Sequence, residues 1–573
     1  MRLRKTTTRG ATTASAVILL AAASLITASP SAAAGDERTL TADALATWQT
    51  DGIVWTVEYA RGVVYVGGTF SSVRPPGAQP GEKEVARKNF AAFDAATGEL
   101  LPCAQSFSGA GDTVRALKTS RDGTVLYVGG SFNKVGETPV ASAVALNTAD
   151  CSLRRDFRPA MSSFVRAIET TDSAVYLGGD FLYAAGQSRK RLASFSPSGA
   201  LLPFRADIDA PVRAIMAAPD YGKLIIGGSF NVVNGADHHA LIGLNPSTGS
   251  TVAAFPSWLP QRSSVKALTR DAANFYVGAE GRGTGIFDGR IAGRLADDEM
   301  VWKDTCLGAT QAVVAHNGVL YSGSHAHDCS ETPGGFPAET ERQHFLAQSV
   351  SNKHILHWFP DTNGGIGEQN GPRALVMANG ILWAGGEFTT VNDRPQQGLT
   401  RFAAGPDTGA PEAPPQLKAA DAPPGRVTLT WRAAWDRDDA ELKYLIYRDG
   451  RLVATRTLRS TLWDRPTMTY TEDVVPGSRH RYAIAVTDGE NTSPLSRALE
   501  VTSPAAKQPD VTAPATGTPE ATAPATGTPE ATAPVTGTPD MTVPATGTPE
   551  ATAPATAETG APTAANERPK EKR

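Results

Sequence analysis

The chain has 573 residues, a formal net charge of −4 and 20% charged residues, a balance that offers no basic field to nucleic acid or an anionic membrane. Its 55 glycines and 41 prolines disfavour a helical bundle or coiled coil and favour a turn-rich β protein.

Arg2, Arg4, Lys5 and Arg9 form a basic head before an apolar run over 11–28, and Ala32-Ala33-Ala34 supplies small residues for cleavage. Residues 1–34 are therefore expected to be a secretory signal peptide. No later stretch approaches the ~18 apolar residues of a membrane span. A secreted, extracellular protein without a transmembrane segment is expected.

From residue 65 onward one pattern recurs: an apolar strand closing on Gly-Gly, a small or acidic residue, then Phe. It stands as YVGGTF at 65–70, YVGGSF at 127–132, YLGGDF at 176–181, IIGGSF at 225–230 and WAGGEF at 383–388. Two degenerate copies, YVGAEG at 276–281 and YSGSHA at 321–326, fall between them. The first glycines, from Gly67 to Gly385, lie 45 to 62 residues apart and average 53. A period of this length with several short strands per unit predicts a propeller. Each unit is expected to open on a strand such as VRAL at 114–117 and to close on a fourth strand ending at an aromatic: Phe107, Phe157, Phe204, Phe255, Trp302 or Trp358. The last unit lacks a fourth strand, and residues 44–48 carry its pattern, so the amino-terminal strand is expected to complete the ring.

The VRAL and YVGGSF segments together resemble the delta-60-type repeat of bacterial secreted β-propellers, over residues 35–405. That resemblance implies the fold and transfers no catalytic residue. The expected fold class is all-β: a seven-bladed β-propeller, a carboxy-terminal β-sandwich and a disordered tail.

All four cysteines lie in the propeller region, and an exported chain favours disulfides. Of the three pairings, strand counting places the loops of Cys306 and Cys329 on one rim of the disc, which leaves Cys103 with Cys151. The degenerate copy around 323–329 carries His325, His327 and Asp328, which alternate as on a strand and form a candidate site for a divalent metal. This is the one cofactor the residues suggest. A long loop over 361–371 enters from the same rim and adds Asp361, Asn363 and Glu368 as candidate ligand contacts. Aligning the first strands on their glycines puts Trp55, Arg115, Arg166, Arg213, Lys266, Gln311 and Arg373 at one position. If the first strand is innermost, Arg115, Arg166, Arg213, Lys266 and Arg373 approach the central channel together. They are then candidates either to bind an anionic ligand such as a carboxylated glycan or to staple neighbouring blades.

A different segment opens at the proline-rich run 411–415. VTLTW at 427–431 alternates, YLIYRDG at 444–450 ends in a turn, and RYAIAV at 481–486 follows. The spacing predicts a β-sandwich, and residues 411–503 resemble a fibronectin type III domain, read as a spacer. Asp436, Asp438 and Asp439 read as a solvated turn. The tail over 504–573 carries ten-residue Thr-Ala-Pro repeats and is expected to stay extended, with cell-wall association as one use.

No GxSxG, P-loop or HExxH motif occurs. The expectation is a secreted, monomeric, non-catalytic protein that binds an extracellular glycan or protein through the loop-rich rim. The alternative is a polysaccharide-active hydrolase or lyase with a fibronectin-like accessory module.

Overall fold

A computed structural model describes residues 38–338, 342–414 and 416–507. The expected signal peptide and nearly all of the expected tail lie outside the described residues. The described chain is all-β apart from a short 3-10 turn at Pro219–Tyr221.

Each sequence repeat builds one antiparallel sheet. The first consists of Ile53–Ala60, Val63–Thr69 and Phe90–Asp94. The others open on Thr113–Thr119, Val165–Thr170, Val212–Ala218, Ser263–Arg270, Thr310–His316 and Pro372–Ala378. Every opening strand packs against the opening strands of the sheets before and after it, and Pro372–Ala378 packs back on Ile53–Ala60. The sheets therefore stand in a closed, propeller-like ring.

The glycine of the motif explains how closely they pack. A Cβ on Gly67 would lie 2.4 Å from Val114 Cγ1 of the next opening strand. The same close approach recurs between Gly129 and Val165, Gly178 and Val212, and Gly227 and Val265, and Gly385 meets Val54 at 2.2 Å. Gly278 and Gly323, in the degenerate copies, meet Thr310 and Pro372 at 3.0 and 2.9 Å. The first glycine persists in every copy because any side chain would push two sheets apart. The second faces a carbonyl of its own opening strand, as Gly130 faces Thr113 O at 2.2 Å.

The expected fourth strands are only partly formed. Thr251–Ala254 and Met300–Asp304 are full fourth strands. Elsewhere the fourth position is held by a single bridge: Phe93 to Leu100, Leu146 to Leu153, Phe195 to Leu201 and Gln348 to Ile355. The aromatics that were expected to end these strands instead fill the seams between sheets. Phe107 lies 5.6 Å from Phe90 and 5.0 Å from Phe132, and Phe157 lies 4.8 Å from Tyr127. Each such aromatic pair contributes about 0.5–1.5 kcal/mol beyond the area it buries.

The amino-terminal segment does close onto the last sheet, though not as a regular strand. Leu45 N–H donates to Arg401 O at 2.9 Å and Thr41 N–H to Ala403 O at 3.0 Å. Buried Arg401 then ties three elements together, donating to Ala46 O, to Thr47 Oγ1 and to Ala96 and Thr97 O of the first sheet.

Residues 418–502 form two further antiparallel sheets, one of three strands and one of four. Their inward faces share one core containing Val427, Leu429, Trp431, Leu442, Tyr444, Ile446, Tyr482 and Ile484. This part packs directly against the ring. Trp463 packs 5.0 Å from Phe336 and 4.7 Å from Phe359. Phe359 N–H donates to Arg437 O, and the His357 ring meets Asp436 O at 3.1 Å.

Candidate functional site

All seven residues at the aligned position line one cavity of about 90 Å³: Trp55, Arg115, Arg166, Arg213, Lys266, Gln311 and Arg373. The backbone puts them there by one device. In every opening strand the ladder slips by one residue at this position, between Val54 and Thr56, Val114 and Ala116, and so on round to Pro372 and Ala374. A β-bulge leaves the extra residue unpaired and re-aims its side chain. Repeated seven times, it brings the aligned position of every opening strand to one cavity.

Five of the seven ring residues take a partner from the position after the glycine pair, while the Gln311 amide donates to Glu280 of the neighbouring sheet at 2.8 Å. Trp55 Nε1 donates to Thr69 Oγ1 at 2.9 Å. Arg166 forms a two-pronged pair with Asp180, both bonds 2.7 Å, and Lys266 pairs with Glu280 at 2.9 Å. Arg213 reaches only the Ser229 hydroxyl, at 2.9 Å. Arg373 pairs with buried Glu387 at 2.7 Å and with Glu368 of the 361–371 loop at 2.8 Å. Arg115 has no ion-pair partner among the described residues, and its guanidinium lies 4.0 Å over the Trp55 ring.

The charges do not cancel evenly. Burial, then repulsion from Arg373, Arg166 and Arg213, brings the Arg115 pKa down to about 9. Burial also lowers Arg213. Burial opposes ionisation at Glu280, but Lys266 and the Gln311 amide outweigh it and hold that carboxyl below its usual value. The Arg373 bond does the same for Glu368.

A larger cavity of about 540 Å³ opens beside the channel, lined by His325, His344, Asp361, Thr362, Glu368 and Asn370 among others. Glu368 spans the two, because its carboxylate also acts on Arg115 and Arg213. Of the loop residues anticipated here, Asp361 accepts from His344 N–H at 2.9 Å. Asn363 ties the loop to the segment at 389–390: its amide nitrogen donates to Thr389 Oγ1, and its oxygen accepts from Thr389 and Thr390 N–H.

His325, His327 and Asp328 do not converge as a metal site. His325 Nδ1 meets Asn370 Oδ1 at 2.5 Å. Past Ala326 the strand has ended, and Asp328 Oδ1 accepts from Ser330 N–H. Among the described residues, one group of carboxylates does come together, with oxygens within 4.8 Å of one another: Asp407, Asp436, Asp438 and Asp439. This corrects the expected solvated turn. Asp436 is buried where the two parts meet, and Asp438 Oδ2 accepts from Ala42 N–H at 2.9 Å. Burial, then a hydrogen bond with Asp436, pushes Asp438 up to about 8, and burial pushes Asp407 up to about 6.

The disulfides pair as expected, Cys103 with Cys151 and Cys306 with Cys329. Below the second lies a charge pair not anticipated from sequence. Arg290 and Asp304, each 0% exposed, bond at 2.6 Å, and Gln348 and Thr332 also donate to Asp304.

No protein-family model matches the chain, and no curated protein matches it in sequence. Among solved structures, the computationally designed Ika8 protein aligns at 13% identity over 62% of this chain and 98% of that one, with a TM-score of 0.39. A chain of the mitotic checkpoint complex aligns at 13% identity over 65% and 96%, with a TM-score of 0.42. Sqt1 of Saccharomyces cerevisiae aligns at 11% identity over 64% and 100%, with a TM-score of 0.37. No helix among the described residues is long and apolar enough to cross a membrane.

Proposed function

We propose that the chain is a secreted, non-catalytic binding protein of the delta-60-type repeat group. In this reading it is a seven-bladed propeller closed by its amino-terminal segment and followed by a fibronectin type III-like domain over 411–503. The channel mouth receives an anionic group of an extracellular ligand. One observation carries the reading. Five cations line a single cavity, yet among the described residues neither Arg115 nor Arg213 has a carboxylate within ion-pair distance. A ring that served only as a staple would leave no cation unmatched, because an unneutralised charge cluster costs stability.

The hydrolase reading requires one carboxyl kept protonated beside an ionised one. Glu280 and Glu368 at the channel mouth are both held below the usual carboxylate range, so neither supplies that protonated carboxyl.

Titration calorimetry of the full chain with galacturonate and glucuronate oligosaccharides tests the proposal. Binding is expected, and it should weaken with added salt and fall about tenfold or more in Arg115→Gln. Failure of every anionic oligosaccharide to bind, or equal affinity in the variant, would overturn it.

A further inference from the structure

A third cavity opens from the channel mouth, beside the sheet that begins at Ser263–Arg270, the fifth round the ring. It holds about 340 Å³ and shares Arg213 and Lys266 with the channel cavity. The channel cavity itself, at about 90 Å³, falls well short of the ~300–1,000 Å³ of small-molecule sites. It admits an acid group but not the unit that carries it, so the rest of a ligand lies in a neighbouring cavity.

Charge decides which neighbour. Histidines aside, the charged lining of the cavity of about 540 Å³ is Arg342, Asp361, Glu368 and Asp393. Arg373 pairs with Glu368 and Arg437 with Asp393, which leaves Arg342 to offset Asp361 and no surplus cation. In the third cavity Arg213, Arg262, Lys266 and Arg282 stand against Glu280 and Glu368. Both carboxylates are already engaged, Glu280 by Lys266 at 2.9 Å and Arg282 at 3.7 Å, and Glu368 by Arg373 at 2.8 Å. Among the described residues, Arg213 and Arg262 have no carboxylate within ion-pair distance. The surplus is positive, and an acidic chain leaving the channel is drawn this way.

Among the seven copies Arg262 departs from the pattern. It stands four residues before the bulged Lys266, the place held by Asp51, Ser162 and Asp209 in the first, third and fourth sheets. There the side chain closes the loop after the motif. Asp51 Oδ1 accepts from Ser71 and Ser72 N–H, Ser162 Oγ from Leu182 and Tyr183 N–H, and Asp209 Oδ1 from Asn231 and Val232 N–H. In the fifth sheet the backbone takes over, with Arg282 N–H donating to Arg262 O at 3.2 Å. A Cβ on Gly283 would lie 3.2 Å from Arg262 Nη1, so the guanidinium lies over this loop at the cavity. A loop-closing acceptor has thus been exchanged for a cation in the degenerate copy YVGAEG, whose following residue, Arg282, lines the same cavity.

We propose that this cavity is a second acid-binding subsite, continuous with the channel, in which Arg262 holds the acid group on the next unit of an acidic oligosaccharide. Arg282 adds to the positive field there. The proposal rests on the channel reading above for the place of the first acid group, and it goes further in requiring at least two acid groups on the ligand. Linking them makes the second contact intramolecular, so a dimer gains more than two free acids would.

Saturation-transfer NMR titrations of the full chain with galacturonic acid and with digalacturonate test it. The dimer should bind about tenfold tighter than the monosaccharide, or more. Arg262→Asp, which restores the residue of the first and fourth sheets, should bring that ratio down to about two, the statistical value for a ligand with two acid groups and one subsite. Arg262→Gln, which removes the charge without reversing it, should lower the ratio in the same direction. Circular dichroism confirms that each variant is folded. A ratio of about two in the parent, or an unchanged ratio in both variants, overturns the subsite. In that case monosaccharide binding that is lost in Arg115→Gln leaves the channel reading standing. If neither saccharide binds, the channel reading fails and the subsite fails with it.

Discussion

The closing seam gives the sharpest test of how the ring is held. Replacing Gly385 with Ala puts a methyl carbon 2.2 Å from Val54 Cγ1 and 3.3 Å from Val57 Cγ1. Carbon atoms in contact settle near ~3.5–4.0 Å, so the first and last sheets must part by more than an ångström at this point. Val54 is fully buried, and its β-branched side chain is stiff at χ1. Overpacking of this kind costs about 1–3 kcal/mol, and the rigid neighbour puts Gly385→Ala near the upper value. Val54→Ala alone opens a small hole and costs about 1–2 kcal/mol. Together the new methyl enters the hole, so the double variant should lose about 1–2 kcal/mol less than the two single losses combined. Urea unfolding of the full chain, followed by tryptophan fluorescence, reads these differences. Gly405→Ala, which meets no atom within 4 Å, is the control. A Gly385→Ala midpoint equal to the control, or strict additivity with Val54→Ala, would refute the close-packing account of the motif.

Two further outcomes follow from charges the fold has buried. Arg290→Met leaves the Asp304 carboxylate without its cation and should cost about 3–5 kcal/mol in the same assay; a loss below about 1 kcal/mol would mean the pair is effectively solvated. Asp438 titrates in the folded chain at about 8 against an ordinary 3.8, so ionising it disfavours folding. Its contribution worsens as pH rises from about 4 to 8 and is constant above. Asp438→Asn keeps an acceptor for Ala42 N–H and should therefore be more stable than the parent at pH 8.5, by about 1–2 kcal/mol after solvent screening, and indistinguishable near pH 4. Thermal melts at the two pH values decide it, and an equal effect at both removes the titration account.

Repetition made much of this molecule legible in its sequence. Copies of YVGGSF align on one another, and the alignment alone set Trp55, Arg115, Arg166, Arg213, Lys266, Gln311 and Arg373 at one position, where the structure has them line one cavity. The bulge that aims them also left a trace that was not read. In VRAL the apolar residues stop alternating, and Ala116 and Leu117 are both buried after half-exposed Arg115, as a one-residue slip requires. Their partners were visible only as "a small or acidic residue", which conceals that Asp180, Glu280 and Glu387 each neutralise a cation. The rim cavity was legible in part: the sequence set His325, Asp361, Asn363 and Glu368 on one rim, and all four line it. His344 and Asp361 come from a strand and a loop that meet through the path of residues 350–370, and no periodicity records that path. The acid group at Asp407 and Asp438 depends on how the second part docks, which is a property of two surfaces rather than of either segment.

The bulge separates two demands that would otherwise fall on one residue. The residue before it, valine in five copies and Thr310 and Pro372 in the other two, presses on the glycine of the preceding sheet, so the seam limits its size. The bulged residue itself touches mainly its own strand partner and the channel. The seven copies use that freedom: Trp, Gln, Lys and four Arg occupy the bulge, facing Thr, His, Glu, Ser or Asp across the strand pair. Carboxylates stand opposite Arg166, Lys266 and Arg373, while Trp55, Arg115 and Arg213 face hydroxyl residues. The uncompensated charge thus belongs to the second and fourth sheets, where hydroxyl residues stand in place of the carboxylates that pair with Arg166, Lys266 and Arg373. Moving a carboxylate to the unmatched side by Ser229→Asp should then abolish anionic-ligand binding while leaving the seams, and so the urea midpoint, within about 0.5 kcal/mol of the parent.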